Sequence, residues 1–229
     1  AGFRDQLLSE GLAKSTVRKY LALLQRSIEI GRKELGIPIT HNPVMLVSKP
    51  REDDSRDRIL EEDEWERLWE QCSRSSIHFL KDLVMLARET MCRRSEILRI
   101  TRYDVNFEKG TLHLPKTKNG SPRTIGLSPR AMEILKGLPI SFDGHFFKSP
   151  FNSNDNLGNL ISKAFARAVK KAGIENFRLH DVRHMSASDY AMKGWTVSEL
   201  SAQGGWKSLS QLKRYTQIKG EHLAKKMRG

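Results

Sequence analysis

One short stretch carries the sheet signal of this 229-residue chain, and it limits the fold more than any other feature. The residues from Thr111 read T-L-H-L-P, then K-T-K-N-G-S, then P-R-T-I-G-L. Asn119-Gly120 is a pair that tolerates the positive φ angles of a tight hairpin turn, so two antiparallel strands are expected on either side of it. Residues 106–109 read as the turn before Thr111, with a third short strand close by. The remaining apolar pattern is helical or loop-like. The expected fold is therefore mainly α with a small antiparallel β-sheet.

The helical segments divide at a polar, proline-bearing stretch. Residues 3–36 read as two helices: Phe3, Leu7 and Leu8 form a short stripe ended by Gly11, and Ser15 is placed to cap a second helix. That second helix is expected to bury Val17, Tyr20, Leu21, Leu24, Ile28 and Leu35. Pro38, Pro43 and Pro50 follow, then R-E-D-D-S-R-D-R, which reads as a linker. The expected organisation is a helical domain over 1–50, a linker over 51–58 and a second domain over 59–229. In the second domain, the acids from Glu61 to Glu64 suit a helix N-terminus, where the backbone dipole favours negative charge, and Trp65, Leu68 and Trp69 form its apolar stripe. A further helix is expected over about Ser76–Glu89. Ser128-Pro129 reads as a cap and first-turn proline, Phe142, Phe146 and Phe147 as packing residues, and Leu157–Ala172 as a basic amphipathic helix.

Charge narrows the function. The net charge is +13, and the 40 Lys and Arg are unevenly opposed by acids: residues 1–110 hold 20 against 19 Asp and Glu, whereas residues 111–229 hold 20 against 8. An excess confined to one half suits a polyanionic partner. No run of eighteen apolar residues is present, and the N-terminus lacks the basic flank and apolar core of a signal peptide. Cys72 and Cys92 are too few for a disulfide scaffold and fit reduced thiols of a cytoplasmic protein. The chain starts Ala1-Gly2, as an excised piece of a longer protein would.

The chemistry-bearing residues gather late. Arg178 begins R-L-H-D-V-R-H, in which His180 and Arg183 are three apart and share a helix face; G-G-W-K-S-L-S-Q-L-K-R-Y-T follows, with Trp206 nine residues before Tyr215. An imidazole, a guanidinium, an indole N–H and a phenol amid basic residues suit a phosphodiester: its oxygens need cationic and N–H donors while a hydroxyl attacks phosphorus. H-D-V-R-H resembles the H-x-x-R box of the tyrosine recombinases, or phage-type integrases, and the later segment resembles their run into the tyrosine. Upstream, T-M-C-R-R-S-E-I-L resembles that family's first arginine box, with Met91 where a glycine is usual, and T-K-N-G resembles its hairpin lysine motif. The segment G-L-A-K-S-T-V-R-K-Y-L-A-L-L is similar to the start of its core-binding domain, here abbreviated.

The resemblance implies a catalytic set of Arg93, Lys118, His180, Arg183, Trp206 and Tyr215. Tyr215 would attack the phosphodiester, Arg93 and Arg183 would clamp the non-bridging oxygens, and Trp206 would donate its indole N–H. His180 would bond the phosphate or help take the phenol proton, and Lys118 would protonate the leaving 5′ oxygen. Glu96 would orient the arginine and histidine, with His184 in a supporting structural role. Arg94 rivals Arg93, and Lys116 rivals Lys118. The implied function is site-specific DNA strand exchange through a covalent 3′-phosphotyrosyl intermediate; a topoisomerase-like nicking and religating enzyme, or an inert DNA-binding protein of the same fold, are the alternatives.

Double-stranded DNA is the expected partner, with Lys116, Arg123, Lys163, Arg167 and Lys170 as further DNA contacts; no cofactor, small-molecule substrate or membrane is expected. His180 and His184 have an i, i+4 spacing that can bind zinc, but a zinc hydrolase would need H-E-x-x-H where this chain has H-D-V-R-H, so no metal is expected. Gly204-Gly205 reads as a helix-ending turn. After Gly220, Leu223 and Met227 share one face and are expected to dock on a neighbouring protomer, giving a monomer without DNA and a tetramer on it, in a prokaryotic cytoplasm or nucleoid or as a phage or mobile-element product.

Overall fold

The computed structural model describes residues 1–51, 58–115, 121–148, 157–206, 208, 212 and 227. The chain separates into two compact units, Ala1–Ser55 and Arg56–Gly229. Lys116, Lys118, the Asn119-Gly120 turn, Tyr215 and Leu223 lie outside the described residues.

The first unit is built on α1 (Gly2–Ser9) and α2 (Lys14–Glu34), closed by a 3₁₀ turn at Pro43–Leu46. Asn42 starts that turn by accepting from the Val44 N–H at 3.1 Å while donating to the Gln25 carbonyl at 2.8 Å. Ser15 is inside α2 rather than capping it, because the Ala13 carbonyl already accepts from the amides of Thr16 and Val17. The buried stripe is narrower than expected. Val17, Leu21 and Val44 form its centre with Leu7, Leu12, Ile28 and Val47 around it, while Tyr20, Leu24 and Leu35 are exposed. A one-turn cover and an eight-residue helix cannot screen a wider face of a 21-residue helix.

The second unit holds α3 (Glu62–Ser73), α4 (Leu80–Thr90), α5 (Arg94–Ile97), β1 (Val105–Asn106), β2 (Thr111–Leu114), β3 (Arg123–Gly126), α6 (Pro129–Gly137), α7 (Leu157–Lys171), α8 (Leu179–Met192) and α9 (Val197–Gly204). Glu61 caps α3 reciprocally with Glu64, and Ser128 caps α6 by accepting from the Ala131 N–H at 3.1 Å. The strands order β1-β2-β3, all antiparallel, with Leu112 opposite Ile125 and Leu114 opposite Arg123. Opposed residues share a face, and Leu112, Leu114 and Ile125 are buried, so Arg123 lies on the core face of the sheet. Helix α4 is the centre: Leu80, Leu83, Val84, Met85 and Leu86 are almost wholly buried, and α3, α6, α7 and α8 pack around it. It begins four residues later than expected, since residues 76–79 form turns before it.

Two aromatic expectations separate. Phe146 and Phe147 are buried, but Phe142 is fully exposed, at the tip of a turn closed by Ser141 and His145. Among the described residues no helix is long and apolar enough to cross a membrane.

Candidate active site

Four segments converge at the end of α4. Met91, the residue after it, is fully buried and takes a left-handed conformation, φ 56° and ψ 18°, that a glycine would adopt without strain. This reversal starts α5 at once and sets Arg93 at its cap. Glu96, one turn on, accepts from the Arg93 backbone N–H at 2.8 Å and from its guanidinium at 2.9 Å. The other guanidinium nitrogen of Arg93 donates to the Gly205 carbonyl at 3.1 Å, which ties α5 to the end of α9.

Helix α8 supplies His180 and Arg183. His180 is exposed and Arg183 is 2% exposed, so the helix carries one group at the surface and the other inside. The Arg183 guanidinium donates to the Met91 carbonyl and lies over the Trp206 ring, 4.0 Å from its centroid. Its Nε is buried without a hydrogen-bond partner, and among the described residues no carboxylate is bonded to it. Burial, then the nearby Arg93 charge, pull Arg183 down from 12.5 to about 10. Trp206 is held by a glycine turn: Gly205 ends α9 at φ 70°, and a Cβ on Gly204 would sit 1.9 Å from the ring. Arg93, His180 and Arg183 line a cleft of about 390 Å³ with Arg94, Ser162 and Arg178.

Glu96 is the electrostatic centre of this group. Burial works against its charge, yet the hydrogen bonds from Arg123 and from Arg93 outweigh it and hold the carboxyl at about 2. Arg123 reaches it from β3 with both terminal nitrogens, at 3.0 and 2.9 Å, and donates through Nε to the Gln203 carbonyl at 3.3 Å. A guanidinium so engaged, with 13% of its side chain exposed, is committed inside the protein rather than to the DNA backbone for which it was expected. The strand period carries the signal that would have placed it, since Arg123 and the buried Ile125 are two apart. Gln203, which bridges the Gly126 backbone N–H and C=O, carried no sequence signal.

The remaining candidates divide. Arg94 turns to Ser162 of α7. The His184 ring meets His180 edge-to-face at 4.7 Å. Lys163, Arg167 and Lys170 are exposed on α7, and Arg167 lines a separate basic cleft with Arg74 and Lys171. Arg178 and Ser162 reach the main cleft without having been anticipated. Among the described residues no three His, Cys, Asp or Glu side chains group as metal ligands.

Residues 58–222 match the phage integrase family. The chain belongs to that family. It is 34% identical to the shufflon-specific DNA recombinase of Escherichia coli over 99% of its own length, and 26% identical to the integrase of Salmonella phage P22 over 94%. It spans 59% and 57% of those two relatives. The catalytic domain of bacteriophage HP1 integrase is 25% identical, with a TM-score of 0.57 over 74% of this chain and 93% of that one. The Tn1549 transposon integrase, solved in complex with a circular intermediate DNA, shares the fold at a TM-score of 0.76 over 99% of this chain and 83% of its own, at 16% identity. The mainly helical fold with its three-stranded antiparallel sheet is thus that of integrase-family relatives.

Proposed function

We propose that this chain is the strand-exchanging part of a site-specific tyrosine recombinase and that its substrate is duplex DNA. The observation that carries the reading is the cationic cleft, where the buried Arg183, unpartnered at Nε, and Arg93 stand with Trp206 and the exposed His180. Two guanidinium groups beside an imidazole fit the non-bridging oxygens of a phosphodiester, whose charge grows in the transition state.

In this reaction the phenol oxygen of Tyr215 attacks phosphorus, the bond from phosphorus to the 5′ oxygen breaks, and Lys118 gives that oxygen a proton. His180 helps remove the phenol proton, and the Trp206 N–H bonds a phosphate oxygen. The 3′-phosphotyrosine conserves the bond energy, so a 5′-hydroxyl of a partner strand can reverse the step without ATP. Arg93 fits the first clamp better than Arg94, because Glu96 and the Gly205 carbonyl fix the orientation of its guanidinium beside Arg183, whereas Arg94 turns to Ser162 of α7. The basic face of α7, with Lys163 and Lys170, suits backbone phosphates, and Lys116 is a further candidate for such a contact. Residues 1–50 would form a partial DNA-binding domain joined through 51–58 to a catalytic domain over 59–229. The segment after Gly220 would dock on a neighbouring protomer, so that a monomer in solution becomes a tetramer on DNA, in a prokaryotic cytoplasm or on a phage or mobile element.

The test uses a pool of nicked duplexes of randomised sequence and a denaturing gel. The wild-type chain is expected to yield a covalent protein–DNA band that Tyr215→Phe abolishes while retaining DNA affinity. Adducts that persist in Tyr215→Phe would remove the tyrosine assignment, and their absence from the wild type would favour an inert DNA-binding protein.

A further inference from the structure

Arg123 takes no part in the chemistry above, yet all three of its guanidinium nitrogens are hydrogen-bonded beside the cleft. Both of its terminal nitrogens meet the two oxygens of Glu96, at 3.0 and 2.9 Å, in the planar two-armed geometry that fixes a carboxylate in orientation as well as position. Its Nε donates to the Gln203 carbonyl, one turn before Trp206. Gly205 makes room for it, since a Cβ there would lie 2.7 Å from the guanidinium carbon. The same Glu96 oxygens accept the Arg93 backbone N–H and guanidinium. Glu96 is 3% exposed, so its charge is met by these donors inside the protein rather than by bulk solvent.

We propose that Arg123 is a positioning residue for DNA cleavage: acting through Glu96, it fixes the guanidinium of Arg93 toward the scissile phosphate. This rests on the recombinase reading given above. A single carboxylate that holds Arg93 at two points must itself be held, or the clamp turns with it. Arg93 does not reach the sheet: its bonds to Glu96 close within one helical turn and its remaining bond goes to the Gly205 carbonyl at the end of α9. Arg123 anchors the pair to β3, on the core face of a sheet whose register is set by Leu112 and Ile125.

The groups around Glu96 determine what happens when Arg123 is removed. From α5 and its cap Glu96 faces Arg93, from α8 Arg183, and from the turn before α5 the buried Cys92; Arg99, Asp104 and His113 line a small cavity beside it. Arg123→Met takes away the larger source of hydrogen bonds to the carboxylate while burial, which favours the neutral acid, remains. The Glu96 carboxyl, held at about 2 in the wild type, then titrates at higher pH. Protonated Glu96 keeps a weaker hold on Arg93, so the variant gains a reversible loss of cleavage on the acid side.

The experiment measures single-turnover formation of the covalent adduct on the nicked duplex pool, from pH 5 to 8, for the wild type, Arg123→Lys, Arg123→Met, Glu96→Gln and the Glu96→Gln/Arg123→Met pair. DNA affinity and the unfolding midpoint are read for each. Arg123→Met is expected to form adduct roughly ten- to hundredfold more slowly than the wild type at pH 8, with bound fraction unchanged. Its rate is expected to fall further toward pH 5, where the wild-type rate changes less. Arg123→Lys, which restores the charge without the fork, should recover part of the rate and shift the acid limb back. The double variant should be no slower than the slower single variant, because both changes break one chain of contacts. Unchanged adduct rates in Arg123→Met, additive losses in the double variant, or losses matched by equal loss of folded protein with no acid limb would each overturn the proposal. If Arg123→Met does not fold, Arg123→Lys decides through its rate and acid limb. A wild type that forms no adduct at all refutes the recombinase reading, and with it this inference; an active wild type with an indifferent Arg123 refutes this inference alone.

Discussion

Arg183→Met separates a residue kept for chemistry from one kept for stability. Arg183 is 2% exposed, charged, and bonded among the described residues to one backbone carbonyl, with Nε unpartnered. Its pKa falls from 12.5 to about 10, chiefly through burial, and at 1.36 kcal/mol per unit this corresponds to about 3 kcal/mol of strain against the charged form. The sign is that of a cation with a lowered folded pKa: the strain is present at every pH below about 10 and is relieved only above it. Methionine removes the strain and fills much of the same space. It leaves the Met91 carbonyl unpaired, a cost of about 1–3 kcal/mol, and loses the stack on Trp206, worth up to about 2 kcal/mol. The opposing contributions nearly cancel, so the DNA-free variant is expected within about 2 kcal/mol of the wild type. Its adduct formation should fall at least about 10²-fold, the size of losing one transition-state donor. Urea unfolding followed by tryptophan fluorescence, with and without inorganic phosphate, measures the first; the nicked duplex pool measures the second. Phosphate should stabilise the wild type more than the variant, because an anion that binds only the folded cleft shifts its unfolding. Destabilisation beyond about 4 kcal/mol, with phosphate equally effective on both, would refute the reasoning and make Arg183 a structural residue.

Three further outcomes follow from the same geometry. Gly204→Ala places a Cβ 1.9 Å from the Trp206 ring, so it should displace the ring, cost about 1–3 kcal/mol in urea unfolding and slow adduct formation; full activity despite that cost would remove Trp206 from the site. Arg93→Ala should slow adduct formation by about 10²- to 10³-fold, whereas Arg94→Ala, which loses the contact with Ser162, should be far milder, and the reverse order would exchange their roles. Deleting residues 221–229 should leave binding to a single DNA site intact but cripple recombination between two sites in a plasmid assay; unimpaired recombination would rule out docking between protomers.

The fold was legible where one period dominates. The hairpin strands, the capped starts of α3 and α6 and the apolar face of α4 follow from alternation, caps and helical spacing, and the structure places them there. Tyr20, Leu24 and Leu35 were misread because helical period tells which residues share a stripe, not how much of that stripe a neighbour covers. Phe142 failed for a related reason: a closed four-residue turn overrides the preference of one aromatic side chain. At the site, motif spacing pointed to Arg93, His180, Arg183 and Trp206, and the fold brings them to one cleft and its wall. Arg123 was read by charge when its strand period pointed inward, and a basic residue on the core face of a sheet needs a carboxylate. Gln203 and Ser162 depend on tertiary neighbours more than 60 residues away in the chain, which no local pattern encodes.

The central claim concerns one oxygen. Adduct from the nicked duplex pool, digested with protease and nuclease and sequenced by mass spectrometry, should yield a single modified peptide from the K-R-Y-T segment, carrying a nucleotide 3′-phosphate on Tyr215 and no modification elsewhere. A nucleotide linked to any other residue, or DNA cut with no linked peptide at all, would contradict the account.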